Sequence, residues 1–147
     1  VRRLLSMADK KERYVFPAVF DYDADGISVE FPDLPGCLTC GDTQEEALNM
    51  AREAMSLHLY SMEEDGDEIP EPTPAHKIQV ADSQAVVLID AWMRPFRDEM
   101  RERAIKKTLS IPKWLNDLAE VNHVNFSRVL QNALKEYLGV SEPKPEH

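Results

Sequence analysis

Several groups of residues in this 147-residue chain have types and spacings that could do chemistry. Asp21-x-Asp23-x-Asp25-Gly26 opens like a calcium-binding loop. The twelfth position, where a bidentate glutamate should close the coordination shell, is Pro32, so a solvated hairpin turn is the expected role. Cys37-x-x-Cys40 has the spacing of a zinc half-site, but no second pair and no nearby histidine accompany it. In a strand that spacing also sends the two sulfurs to opposite faces. Asp21, Glu53 and Asp90 fall on a predicted strand, helix and later strand, where converging carboxylates could hold Mg²⁺ for phosphodiester hydrolysis. Acidic residues are so frequent here that chance supplies such a trio, and the surrounding charge would repel RNA. His58, His76, His123 and His147 lack mutual metal-ligand spacing. The expectation is no catalytic residue, no metal and no cofactor.

A different pattern lies near the C-terminus. Ile105-Lys106-Lys107-Thr108-Leu109-Ser110-Ile111 has apolar residues at 105, 109 and 111 and polar ones at 106, 108 and 110, so an extended chain would show one apolar and one polar, partly basic face. Pro112 suits the first position of a helix that carries Leu115, Leu118 and Ala119 on one face and ends near Asn122-His123. Asn125 is an N-cap candidate for a second helix with Phe126, Val129, Leu130, Ala133, Leu134, Tyr137 and Leu138 at helical spacing, and Gly139 stops it. One strand and two amphipathic helices in about 35 residues are too little to bury a core alone. A second copy, pairing strand with strand about a two-fold axis, would supply the missing half.

Such a ribbon fits the DNA major groove, with Lys106, Thr108 and Ser110 of each chain facing outward. The unit resembles the ribbon-helix-helix family of repressors, in Lys-Lys-Thr-Leu-Ser-Ile-Pro and Asn-Phe-Ser-Arg-Val-Leu-Gln-Asn-Ala-Leu-Lys-Glu-Tyr-Leu. The resemblance implies base-edge contacts from Lys106, Thr108 and Ser110 and a phosphate held at Asn125 and Ser127. A helix N-terminus favours an anion on physical grounds as well.

The elements in front of this unit read as a sheet and a helix. Tyr14–Phe20 and Gly26–Phe31 are strand-like, with the turn signal Asp23-Ala24-Asp25-Gly26 between them. Pro32–Gly36 forces a second reversal before a short strand at 37–40. Thr43 and Glu46 form a capping box for a helix over about residues 44–62, with Leu48, Met55, Leu59 and Met62 on one stripe and Ala47, Ala51 and Ala54 beside it. Residues 63–77 combine an acidic run with three prolines and read as a surface loop. Residues 78–80 and 85–89 follow as strands, the second nearly uniformly apolar and so expected to be central. A short helix over 91–104 connects the modules.

Phe-Pro-Asp-Leu-Pro-Gly-Cys, then Gly-Asp-Thr, then a helix with Glu-Glu-Ala, is similar to the HicB antitoxin family, over residues 14–90. Membership implies a partial ribonuclease-H-like domain that neutralises a small HicA toxin, itself a basic mRNA-cleaving protein. The expected organisation is therefore α+β: a leader (1–13), a partial ribonuclease-H-like, HicB-like toxin-binding domain (14–90), a connecting helix (91–104), a ribbon-helix-helix dimerisation and DNA-binding domain (105–139) and a tail (140–147). Phe31, Asp33, Leu34 and Pro35, with Glu45 and Glu53 on the helix, are the residues nominated to meet the toxin.

Charge divides along the same line. The net charge of −10 argues against nucleic-acid binding when averaged, but residues 1–100 carry −12 and residues 101–138 carry +3. An acidic front suits a basic toxin and a basic back suits operator DNA. No apolar run is long enough for a membrane span or a signal peptide, so a cytoplasmic homodimer, gaining affinity by tandem occupation of DNA or a higher oligomer, is expected. Two other functions use the same features: a ligand-sensing ribbon-helix-helix regulator and a metal-dependent ribonuclease-H-like nuclease.

Overall fold

The computed structural model describes residues 10–142, leaving positions 1–9 of the expected leader and 143–147 of the tail, His147 included, outside the described residues. The chain divides between Ala104 and Ile105 into two compact units. The first holds β1 (Arg13–Asp23), β2 (Gly26–Glu30), β3 (Leu38–Gly41), α1 (Gln44–Asp65), a short 3₁₀ turn (Ala75–Lys77), β4 (Gln84–Trp92) and α2 (Met93–Glu102). Its strands form one antiparallel sheet in the order β3-β2-β1-β4.

The β1–β2 hairpin closes with Asp23 opposite Gly26, whose φ of 142° is backbone territory that favours glycine. Pro17 sits in the middle of β1 without breaking a ladder. Pairing with β2 stops at Val19 opposite Glu30, so the position that would face Pro17 is already past the strand end. Phe16, Ala18, Phe20, Ile27, Val29, Ile89 and Ala91 make the inner face, and Ala47, Ala51, Met55 and Leu59 of α1 pack on it. The expected capping box forms: Thr43 Oγ1 accepts from Glu46 N at 3.1 Å and Glu46 Oε2 accepts from Asp42 N at 3.2 Å. Gly41 lets the start of α1 lie against β3, because a Cβ there would stand 2.5 Å from Ala47 N.

Several expectations are corrected. Strand 85–89 is part of β4, an edge strand, and β1 and β2 take the centre. A nearly uniform apolar run signals burial only when both faces are covered, whereas here Ile89 is buried and Leu88 is exposed. Residues 78–80 form no strand, having no ladder partner. Helix α1 continues to Asp65, into the acidic run, since the Glu63 side chain is buried rather than solvated. The connecting helix is α2, and it is a packed part of the first unit, with Met93 fully buried and Met93 N donating to Glu12 O at 2.8 Å.

The second unit contains α3 (Lys113–Val121) and α4 (Phe126–Leu138). Asn125 Oδ1 accepts from Arg128 N at 3.1 Å and Gly139 ends α4 with φ 65°, as the cap and stop signals require. Residues 105–111 carry no strand pairing in the single chain. No residue from 105 to 142 is buried.

Candidate functional site

The residues nominated to meet the toxin separate into two groups. Phe31 and Leu34 are each only 1% exposed and belong to the core, so they cannot touch a partner without opening the domain. The loop that carries them is closed by Leu34 N donating to Phe31 O at 3.1 Å and Cys37 N donating to Leu34 O at 3.0 Å. Its two prolines and glycine mark a reversal, but nothing in the local pattern says that its apolar side chains turn inward. Asp33 is committed as well: Thr73 N and Thr73 Oγ1 donate to its two carboxylate oxygens at 2.9 and 2.6 Å, which latches the segment after α1 to this loop. Pro35, Glu45 and Glu53 remain exposed.

The carboxylate trio does not assemble. Asp21 lies opposite Gln84 and accepts from Ser83 Oγ and Gln84 Nε2, both at 3.2 Å. Asp90 lies six positions further along β4, about 20 Å away at strand rise, in ion pairs with Arg13 (3.6 Å) and Arg52 (3.4 Å). Among the described residues, no group of three or more His, Cys, Asp or Glu is placed to hold a metal ion. Cys37 is buried and Cys40 exposed, and burial pushes the Cys37 thiol up to about 11.

A buried ion pair joins α1 to α2 and was not visible in any sequence pattern. Arg97 Nε donates to Glu63 Oε2 at 2.8 Å, Nη2 donates to Glu63 Oε1 at 2.5 Å, and Nη2 also donates to Lys11 O at 2.8 Å. The two side chains are 7% and 5% exposed. The hydrogen bond to Glu63 raises the already high pKa of Arg97, outweighing burial, while burial above all raises that of Tyr14, whose hydroxyl donates to Glu63. A groove between α1 and α2 lies near this pair, lined by Asn49, Arg52, Glu53, Ser56, Trp92, Pro95, Phe96, Glu99 and Arg103.

In the second unit Lys106, Thr108 and Ser110 are all exposed. Asn125 caps α4 and Ser127 lies in its first turn, where the amides of Phe126 and Ser127 have no intrahelical acceptor. The apolar residues of the same segments are also in water: Leu109, Ile111, Leu115, Leu118, Phe126, Val129 and Leu134 are exposed.

Comparison with known proteins places the chain among antitoxins of bacterial toxin–antitoxin systems, regulatory proteins rather than enzymes. The family model described as "HicB_like antitoxin of bacterial toxin-antitoxin system" matches residues 16–134, and the chain belongs to that family. "Antitoxin HicB 2" of Photorhabdus laumondii is 47% identical over 122 residues, covering 81% of this chain and 87% of that protein. An uncharacterised 14.9 kDa protein of Haemophilus phage HP1 is 42% identical over 60 residues, covering 41% of this chain and 45% of the phage protein. Among solved structures, a chain of a toxin–antitoxin complex from Streptococcus pneumoniae is similar, with 25% identity and a TM-score of 0.57, over 85% of this chain and 99% of that one. No described helix is long and apolar enough to cross a membrane.

Proposed function

We propose that the first unit binds and blocks a small, basic, HicA-like mRNA-cleaving toxin, and that the second pairs with another copy into a ribbon-helix-helix that represses its own operon. The observation that carries the second half is the missing core of residues 105–142. A soluble unit does not leave this density of Leu, Ile, Val and Phe in water unless another surface takes it. Pairing 105–111 with its copy satisfies the strand, buries Leu109 and Ile111 and leaves Lys106, Thr108 and Ser110 on the opposite face as base-reading groups. Asn125 and Ser127 then hold a phosphate at the start of α4. For the first half, the family and the −12 of residues 1–100 support a basic partner, whose encounter this charge speeds.

The positions of Phe31 and Leu34 reduce the nominated toxin contacts to Pro35, Glu45 and Glu53. The ribonuclease-H-like description of the sheet is kept as a reading of topology, with the separation of Asp21 from Asp90 removing its nuclease counterpart. The test has two arms. Co-expression with the adjoining toxin gene should restore growth. Binding of the chain to its own upstream DNA, at fixed salt, should lose about 1–3 kcal/mol selectively against random DNA when Lys106, Thr108 or Ser110 is replaced by alanine. Equal weakening on both DNAs would make these residues backbone contacts only, and growth arrest despite co-expression would end the antitoxin reading.

A further inference from the structure

Strand β4 leaves one edge open. It pairs with β1 alone. Arg52 Nε donates to Asp90 O at 3.3 Å, so that carbonyl is turned away from β1 toward the outer edge. The alternation of an antiparallel ladder turns the backbone groups of Leu88 and Val86 the same way. The Ala75–Lys77 turn approaches β4, yet among the described residues no backbone hydrogen bond joins them. Folded proteins blunt such edges with Lys, Pro or bulges, and this nine-residue strand (QAVVLIDAW) has no Lys or Pro. Its only charge is Asp90, held at one end by Arg13 and Arg52.

The side chains beside that edge are apolar and in water. Leu88 is 58% exposed and Trp92 52%, and Val15, opposite Asp90, shares their face of the sheet. Trp92 continues this surface into the α1–α2 groove, where Glu53, Phe96 and Glu99 also lie. An open edge, an apolar strip and two glutamates thus meet on one side of the domain.

We infer that this edge is the toxin-docking surface: a basic protein lays an edge strand of its own against Val86 and Leu88, sets apolar side chains on Leu88 and Trp92, and directs cations toward Glu53 and Glu99. The inference rests on the antitoxin reading above and names its surface. A second copy is the poorer occupant, because it would bring another −12 against the first. Main-chain pairing gives the affinity and the carboxylates select a cationic partner.

The experiment titrates the full chain with the purified toxin product of the adjoining gene, by calorimetry at constant salt. Val86→Pro removes an N–H that faces the open edge and Leu88→Ser removes the apolar anchor, both at constant charge. Each should weaken toxin binding at least ten-fold, while Leu38→Ser on β3, the opposite edge strand, should stay within two-fold. Leu88→Ser, at an exposed position, keeps the test decisive if the proline variant fails to fold. Unchanged affinity in folded Leu88→Ser overturns the docking surface and leaves the antitoxin reading standing. Loss of self-association at unchanged toxin affinity overturns it too, in favour of a second copy. A wild-type chain that binds no toxin fails the antitoxin reading itself.

Discussion

Replacing Leu118 by alanine distinguishes a self-contained second unit from half of a dimer. In the single chain Leu118 is 56% exposed, so burial there supplies about half of the roughly 1.5–3 kcal/mol that a fully buried leucine gains, and truncation costs about 1 kcal/mol. In a dimer whose core is built from Leu109, Ile111, Leu115, Leu118 and their copies, the same truncation empties a buried site twice. At roughly 2–5 kcal/mol for each buried Leu→Ala change, the dimer loses about 4–10 kcal/mol. Each 1.4 kcal/mol is about ten-fold in Kd, so dissociation should strengthen by roughly three to seven powers of ten. Sedimentation equilibrium of the full chain across a wide concentration range reads this directly, and far-ultraviolet circular dichroism on the same samples reports whether helix content follows association. A dimer whose Kd moves less than ten-fold in Leu118→Ala, or a wild-type chain that stays monomeric and helical throughout, would refute the claim that residues 105–142 borrow their core from a second copy.

Three further outcomes follow from the first unit. Arg97→Met strands the Glu63 carboxylate in a site where it is 5% exposed, and should cost about 3–5 kcal/mol in denaturant titration; the deficit should narrow at acid pH, where protonation neutralises a stranded carboxylate. Gly41→Ala drives a Cβ against backbone atoms of Ala47 that cannot rotate away, so α1 must lift from β3 at about 1–3 kcal/mol, read as a lowered melting temperature. Iodoacetamide at pH 8 should modify Cys40 and spare Cys37 in the folded chain, since the thiolate is the nucleophile and a thiol pushed up to about 11 stays protonated there; raising the pH toward 11 or unfolding the chain should expose the second site, and rapid labelling of both at pH 8 would contradict the burial.

Much of the architecture was legible because its signals are local. The Thr43–Glu46 box, the Asp23–Gly26 turn, the Asn125 cap and the Gly139 stop each need only a few neighbouring residues to act, and each formed where its pattern lay. The Phe31–Cys37 motif was sufficient to suggest the family, and the match over residues 16–134 shows it. Its chemistry was misread for a reason the motif does not contain: a Pro/Gly-rich loop is ordinarily surface, but this one folds Phe31 and Leu34 under itself and spends Asp33 on Thr73, forty positions away.

What the sequence alone determined, then, is what short-range stereochemistry and periodicity encode: where helices begin and end, that the last segment is amphipathic, and that charge divides with −12 in residues 1–100 and +3 in 101–138. Only the tertiary structure decided which strand lies at the edge, which carboxylate is buried and which apolar residues stay in water. The physical reason is distance along the chain. β4 is an edge because β1, some seventy residues earlier, accepts β2 on its other side, and Glu63 is buried because Arg97 lies across it. Those outcomes belong to pairs of segments, and neither member carries a local mark of its partner.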